Sequence, residues 1–279
     1  MLIRCWGSRG SIPVSGKEFV SYGGDTTCIE IVADSGDIVI VDAGTGIRNL
    51  GKSLVERQKK ELTLLLTHSH WDHIQGICFF RPMLYDDVTI RIQDRKIVGF
   101  TTRQIIERVM SQPFFPIQLS DMRASIVFDQ GLNGRFNIGS MTVDTIVTSH
   151  SQDTLGYRFT ENGKTFVFLT DNELGFKHPQ GLAPDAYVDF CRDADILFHD
   201  AEYTPDEYQE RTGWGHSSVT QVLDLACRAG VKFLGLTHLN QDRHDDEMDA
   251  IVDQCNREMA KRGCGCTCAG IACRFEVEL

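Results

Sequence analysis

Residues 68–73, "HSHWDH", place three imidazoles and one carboxylate within six positions. Nitrogen donors mixed with carboxylate oxygen suit divalent cations such as Zn²⁺, Mn²⁺ and Fe²⁺. His68 and His70 stand two apart, so a bent loop can aim both at one ion. Asp72 and His73 follow as a carboxylate–imidazole pair for a second. The whole chain holds nine histidines in 279 residues, which argues against a chance surface cluster. Four donors in one turn cannot complete two metal sites, so others must arrive from elsewhere. "TIVTSH" ends on His150, "TFVFLTD" on Asp171 and "KFLGLTH" on His238, each an apolar run finishing in one donor. Alone, a histidine after a strand is more often a hydrogen-bonded structural residue; together with 68–73 these three form a constellation. His178, His199 and His244 have no such context and read as structural.

Strand-like runs rich in Val, Ile, Phe and Thr must carry these donors. They fall at 2–6, 27–33, 37–43, 62–68, 88–93, 125–128, 141–148, 155–160, 165–171, 194–200, 231–238 and 273–279. Asn162-Gly163 predicts a two-residue hairpin between two of them. Helical periodicity covers 46–59, 97–110, 217–229 and 245–261, with Ser217 or Ser218 able to cap the third and Gly230 able to end it. Strands and helices alternate in both halves, which implies sheets covered by helices. No linker, low-complexity tract or close-period repeat interrupts the chain, so a single domain over 1–279 is expected. The proline- and aromatic-rich stretch 111–122 reads either as a surface connection or as a loop overhanging a site.

With these residues in place, the chain resembles the metallo-β-lactamase-fold hydrolases. "HSHWDH" is similar to that family's HxHxDH signature, and "VIVDAG" (39–44) to the strand-ending aspartate before it. The resemblance implies a four-layer αββα sandwich and two divalent metal ions, zinc first, with manganese or iron as alternatives. It implies that His68, His70 and His150 hold one metal, that Asp72, His73 and His238 hold the other, and that Asp171 bridges them. Asp42 would orient the metal-binding loop without ligating.

The branch of the family turns on His216 in "GWGHSSV", 22 positions before His238. The segment resembles the phosphodiesterase branch, which includes ribonuclease Z and the cyclic-phosphate phosphodiesterases. There, such a histidine contacts the phosphate and protonates the leaving oxygen. "LFHDAEYT" (197–204) is similar to that branch's acidic segment and places Asp200 or Glu202 to orient His216. The competing reading of His216 is a helix cap with no chemistry. "WGSRGSIPVSG" and "GGDTTC" also resemble the opening of that branch; the glycines could offer backbone N–H groups to an anion or simply form tight turns. The resemblance implies hydrolysis of a small or cyclic phosphodiester, with a metal-activated hydroxide attacking phosphorus and with Asp72 and His216 as catalytic residues. A thioester or lactam hydrolase, or a di-iron oxygen or redox sensor, are the alternatives on the same cradle.

Charge bears on the substrate. Twenty-eight Lys and Arg stand against 39 Asp and Glu, a formal net charge of −11, and no basic stripe is visible. Phosphate neutralisation supplies most non-specific nucleic-acid affinity, so long nucleic acid is not the expected partner. No basic, Gly-rich arm of the kind expected for gripping tRNA lies between Asp171 and His216. No apolar stretch reaches membrane-spanning length, and the first residues lack a charged, then apolar, export pattern. A cytoplasmic protein follows, with its ten cysteines as reduced thiols. A homodimer is common in the resembling branch, although no feature here demands one. In "CGCTCAGIAC" (264–273), Cys264, Cys266 and Cys268 alternate as on one face of a strand, a spacing unlike a zinc clasp.

Overall fold

The computed structural model describes residues 1–279. In chain order the strands are β1 (Leu2–Gly7), β2 (Cys28–Val32), β3 (Ile38–Val41), β4 (Glu61–Leu65), β5 (Thr89–Gln93), β6 (Lys96–Ile97), β7 (Phe100–Thr101) and β8 (Ser125–Asp129). They continue as β9 (Phe136–Ile138), β10 (Met141–Val147), β11 (Leu155–Glu161), β12 (Lys164–Leu169), β13 (Ile196–Asp200), β14 (Phe233–Thr237), β15 (Thr267–Gly270) and β16 (Glu276–Glu278). The helices are α1 (Gly46–Glu56), α2 (Trp71–Ile74), α3 (Thr102–Val109), α4 (Pro184–Cys191), α5 (Pro205–Arg211), α6 (Val219–Ala229) and α7 (Asp245–Lys261). One seven-stranded sheet runs β16-β1-β2-β3-β4-β5-β8, and the other runs β15-β14-β13-β12-β11-β10-β9.

Alternation along the strands creates the layers. Ile38 and Ile40 of β3 pack outward with Leu50 and Leu54 of α1, while Val39 and Val41 face the core between the sheets. In the second sheet, Phe166 and Phe168 of β12 enter that central core, and Val167 and Leu169 pack outward with α4, α6 and α7. Helices therefore cover both outer faces, giving the αββα sandwich. β3, β4 and β5 pair in parallel, as do β12, β13 and β14. In each sheet these carboxyl ends gather at one end, where open α/β folds place their ligands.

Several local expectations change. The helix expected over 97–110 begins only at Thr102. Val98 and Gly99 take left-handed φ values of 47° and 82° and turn β6 into β7. Thr101 then caps α3, with Gln104 closing a capping box. The strand expected over 273–279 shortens to β16 and joins the first sheet beside β1. Cys268 lies in β15 and Cys266 just before it, both buried; Cys264 lies in the preceding loop and is only partly buried. β9, α4 and α5 were not anticipated. The Asn162-Gly163 hairpin forms as expected, with both residues at positive φ.

Candidate metal centre

Asp42 and two of the donors leave their strands at a bend. Asp42 follows β3, Asp171 follows β12 and His238 follows β14, with φ of 66°, 53° and 52°. Left-handed backbone is uncommon for non-glycine residues and marks sites where the surroundings impose the conformation. After β4 the chain runs through Thr67 and His68 into the short helix α2, which presents Asp72 and His73.

Three overlapping groups of donors converge. His68, His70, His150 and Asp171 form one, Asp72, His73 and His238 a second, and Asp171, His216 and His238 a third. In the first, His70 Nδ1 lies 2.9 Å from His68 Nε2 and 3.1 Å from His150 Nε2. Asp171 Oδ1 is 3.5 Å from His68 Nε2 and 3.6 Å from His150 Nε2. In the second, Asp72 Oδ2 stands 3.2 Å from His73 Nε2 and 3.1 Å from His238 Nε2. Asp171 reaches across, with Oδ2 at 3.2 Å from His73 Nε2 and Oδ1 at 3.6 Å from His238 Nε2. Metal–nitrogen bonds of about 2.0–2.1 Å in a tetrahedron put donors roughly 3.3 Å apart, the spacing seen here.

The outer hydrogen bonds fix which ring nitrogen turns inward. The Thr67 hydroxyl donates to Asp42, so it accepts from His68 Nδ1 at 3.0 Å. His73 Nδ1 donates to Asp42 Oδ2 at 2.8 Å, and His150 Nδ1 to the Gly215 carbonyl at 2.9 Å. Each of these rings thus spends its Nδ1 hydrogen outward and turns Nε2 inward. His73 Nε2 is buried without a hydrogen-bond partner and faces two carboxylates. Lone pairs aimed at carboxylate oxygens repel unless a cation or a proton lies between them, and this donor set fits divalent metal ions. The electrostatics mark the same place as one that favours positive charge, whether a proton or a cation. Burial opposes ionisation of Asp171, but His238, His73 and His68 outweigh it and hold the carboxyl well below its usual range. Asp72 behaves likewise, against His73 and His238. Burial disfavours the charged form of His73, yet the carboxylates of Asp72, Asp171 and Asp42 raise it well above an ordinary imidazole.

His216 stands over the second group. Its ring stacks on His238 at 4.4 Å, its Nδ1 lies 3.5 Å from Asp200 Oδ2, and its Nε2 lies 3.5 Å from Glu202 Oε2. Burial lowers its pKa, but Glu202, Asp200 and Asp171 more than offset this, so the net shift is upward. The helix cap is Ser218, in a capping box with Gln221, so the capping alternative for His216 does not hold. Glu202 also lies 3.0 Å from His238 Nδ1, closer than it is to His216; Asp200 receives the Ser217 N–H.

Other features fall elsewhere. His244 caps α7, and His199 Nδ1 donates to the Asp200 carbonyl. His178 contacts Glu173, a buried residue that the sequence reading passed over. A short-range signal for it existed, an acid two places after Asp171, but its partners Tyr208, Gly213 and Gly215 lie 35 to 42 positions along the chain. The segment 111–122 contributes Phe115, Ile117 and Met122 to a cavity of about 740 Å³ that includes Arg48 and Arg81 and none of the converging donors. "GGDTTC" packs behind the metal loop: Thr26 and Thr45 exchange side chain–backbone hydrogen bonds, and the N–H that reaches Asp72 comes from Ser11.

The family model described as Beta-lactamase superfamily domain matches residues 38–239. The ribonuclease Z of Haloarcula marismortui is 23% identical, with 91% of this chain and 90% of that protein covered. Among solved structures, the metallo-beta-lactamase fold protein YhfI from Bacillus subtilis aligns with a TM-score of 0.69 at 18% identity, covering 100% of this chain and 99% of that one. A diphosphatase from the PhnP family aligns at 0.67 and 18%, covering 100% and 97%. At these identities the structural likeness establishes a shared fold.

Proposed function

This chain belongs to the β-lactamase superfamily, and from that premise we propose that it is a metal-dependent phosphodiesterase with two divalent cations. His68, His70 and His150 would hold one, Asp72, His73 and His238 the other, and Asp171 would bridge them. Cations bound there would supply positive charge to a phosphoryl oxygen and would lower the pKa of a water.

The protein's own residues do the rest. Asp42 and Thr67 orient the imidazoles, and Asp171 keeps the two groups in one rigid unit. His216 holds a proton between Asp200 and Glu202 and delivers it to the departing ester oxygen. The observation that carries this reading is the placement of His216, stacked on His238 and backed by two carboxylates. A lactam or thioester hydrolase on the same cradle would have no use for it.

The substrate we favour is a small or cyclic phosphodiester. The net charge of −11 weighs against an unaided grip on long RNA. The relatives named ribonuclease Z keep RNA as a class to be tested. The experiment is a panel containing cyclic nucleotides, bis-p-nitrophenyl phosphate, a short RNA, a thioester and a lactam, with metal content measured on the same protein. Turnover confined to phosphodiesters supports the reading. Turnover of the lactam or thioester with none of the diesters contradicts it.

A further inference from the structure

Glu173 lies two residues beyond Asp171, buried, with all of its bonding capacity used. Its Oε1 accepts from the Tyr208 hydroxyl at 2.8 Å and the Gly213 N–H at 2.7 Å. Its Oε2 accepts from the Gly215 N–H at 2.7 Å and from His178 Nε2 at 2.8 Å. Its own N–H donates to the Ser149 carbonyl at 2.8 Å, directly before His150. The Gly213–Gly215 segment is therefore strapped to the strand end that supplies Asp171.

We propose that Glu173 is a positioning residue for the metal centre, holding the Gly213–Gly215 strap so that the Gly215 carbonyl fixes the His150 ring. The inference rests on the reading of His150 as a metal ligand and His216 as an acid, and it adds the element that sets both. Gly215 has φ of 97°, and a Cβ there would stand 2.2 Å from His150 Nδ1. Only glycine lets the backbone approach this closely. Beyond His216, the Ser217 N–H donates to Asp200 Oδ2 at 2.9 Å. His216 is thus suspended between two buried carboxylates, Glu173 gripping the backbone before it and Asp200 the backbone after it.

Glutamine has almost the same shape as glutamate, but its amide nitrogen cannot accept. The tyrosine hydroxyl and the histidine can reverse their roles and accept from that nitrogen. A backbone N–H cannot reverse. Whichever way the amide is turned, either Gly213 or Gly215 loses its acceptor, and a buried donor is left unpaired.

The test compares wild type with Glu173→Gln, each loaded with Co²⁺, by visible spectrum, chelator competition and circular dichroism. The variant is expected to keep the wild-type circular dichroism, to bind cobalt about 10- to 100-fold more weakly and to show an altered spectrum. An unchanged cobalt spectrum and affinity in the folded variant would overturn the proposal. Should the variant not fold, hydrogen exchange on the wild type decides instead. The Gly213 and Gly215 amides are then expected to be protected well beyond loop rates, and exchange at loop rates overturns the strap. A wild type that takes up no cobalt sinks the metal reading and this inference with it, an outcome distinct from either result on the variant.

Discussion

At the scale of single residues, the centre depends on groups that never touch a substrate. Asp42 is buried and accepts from the Thr67 N–H, the Thr67 hydroxyl and His73 Nδ1. Burial pushes its carboxyl up, with His73 and Thr67 opposing only in part. Replacing it with asparagine leaves one acceptor oxygen for two groups that only donate while His73 Nε2 stays free for a metal, so either the Thr67 N–H or the His73 Nδ1–H faces the amide nitrogen. Asp42→Asn is therefore expected to weaken metal binding about 10- to 100-fold, measured by chelator competition, with far-UV circular dichroism unchanged. Wild-type affinity in that variant would remove Asp42 from the account. The seven donors were legible because four crowd into residues 68–73 and His150, Asp171 and His238 each end an apolar run, signals local to the sequence. Glu173 and Gly215 were not legible, since their roles depend on contacts between segments about 40 to 65 positions apart.

At the scale of elements, β12, β13 and β14 must stay in register for Asp171, Asp200 and His238 to meet. Asp195, just before β13, ties their starts together by accepting from the Thr165 N–H at 2.9 Å and from Lys232 Nζ at 2.7 Å. Burial raises its pKa, but Lys232 and the Thr165 N–H outweigh it and leave it below the usual value. A depressed native pKa gives stability that is present above the unfolded value of about 3.9 and lost as pH falls through the native one. Lys232 is largely exposed, so the pair is screened and the contribution small. Asp195→Asn is expected to melt about 2–4 °C lower at pH 7, with the gap closing in acid. A gap that persists unchanged at pH 3 would contradict this. Strands with uninterrupted apolar runs were readable in the sequence. The hairpin before α3 was not, because Val98 occupies a left-handed turn that its β-branched side chain disfavours.

At the scale of the whole molecule, donors from both sheets meet over one central core, and we propose that residues 1–279 unfold as one cooperative unit. Metal that binds the native state alone stabilises it by mass action, about 2.7 kcal/mol per site at a hundredfold excess over Kd. Chelation is therefore expected to lower Tm in one transition, reversed by adding the cation back; a Tm indifferent to chelator would argue against a structural load on the metals. Sheets covered by helices were legible from alternation and the four-layer order from the resemblance, whereas the pairing of the last strand with the first was not, because short edge strands carry little local signal. The central claim is that His216 protonates the leaving oxygen of a phosphodiester. Its most direct test is kcat/KM of wild type and His216→Ala, with equal metal content, over phosphodiesters whose leaving groups range from nitrophenolate to alkoxide. A nitrophenolate departs without help and an alkoxide needs a proton, so the deficit should be small for the first and reach about 10²- to 10⁴-fold for the second. A deficit that is absent, or the same for every leaving group, would contradict the account.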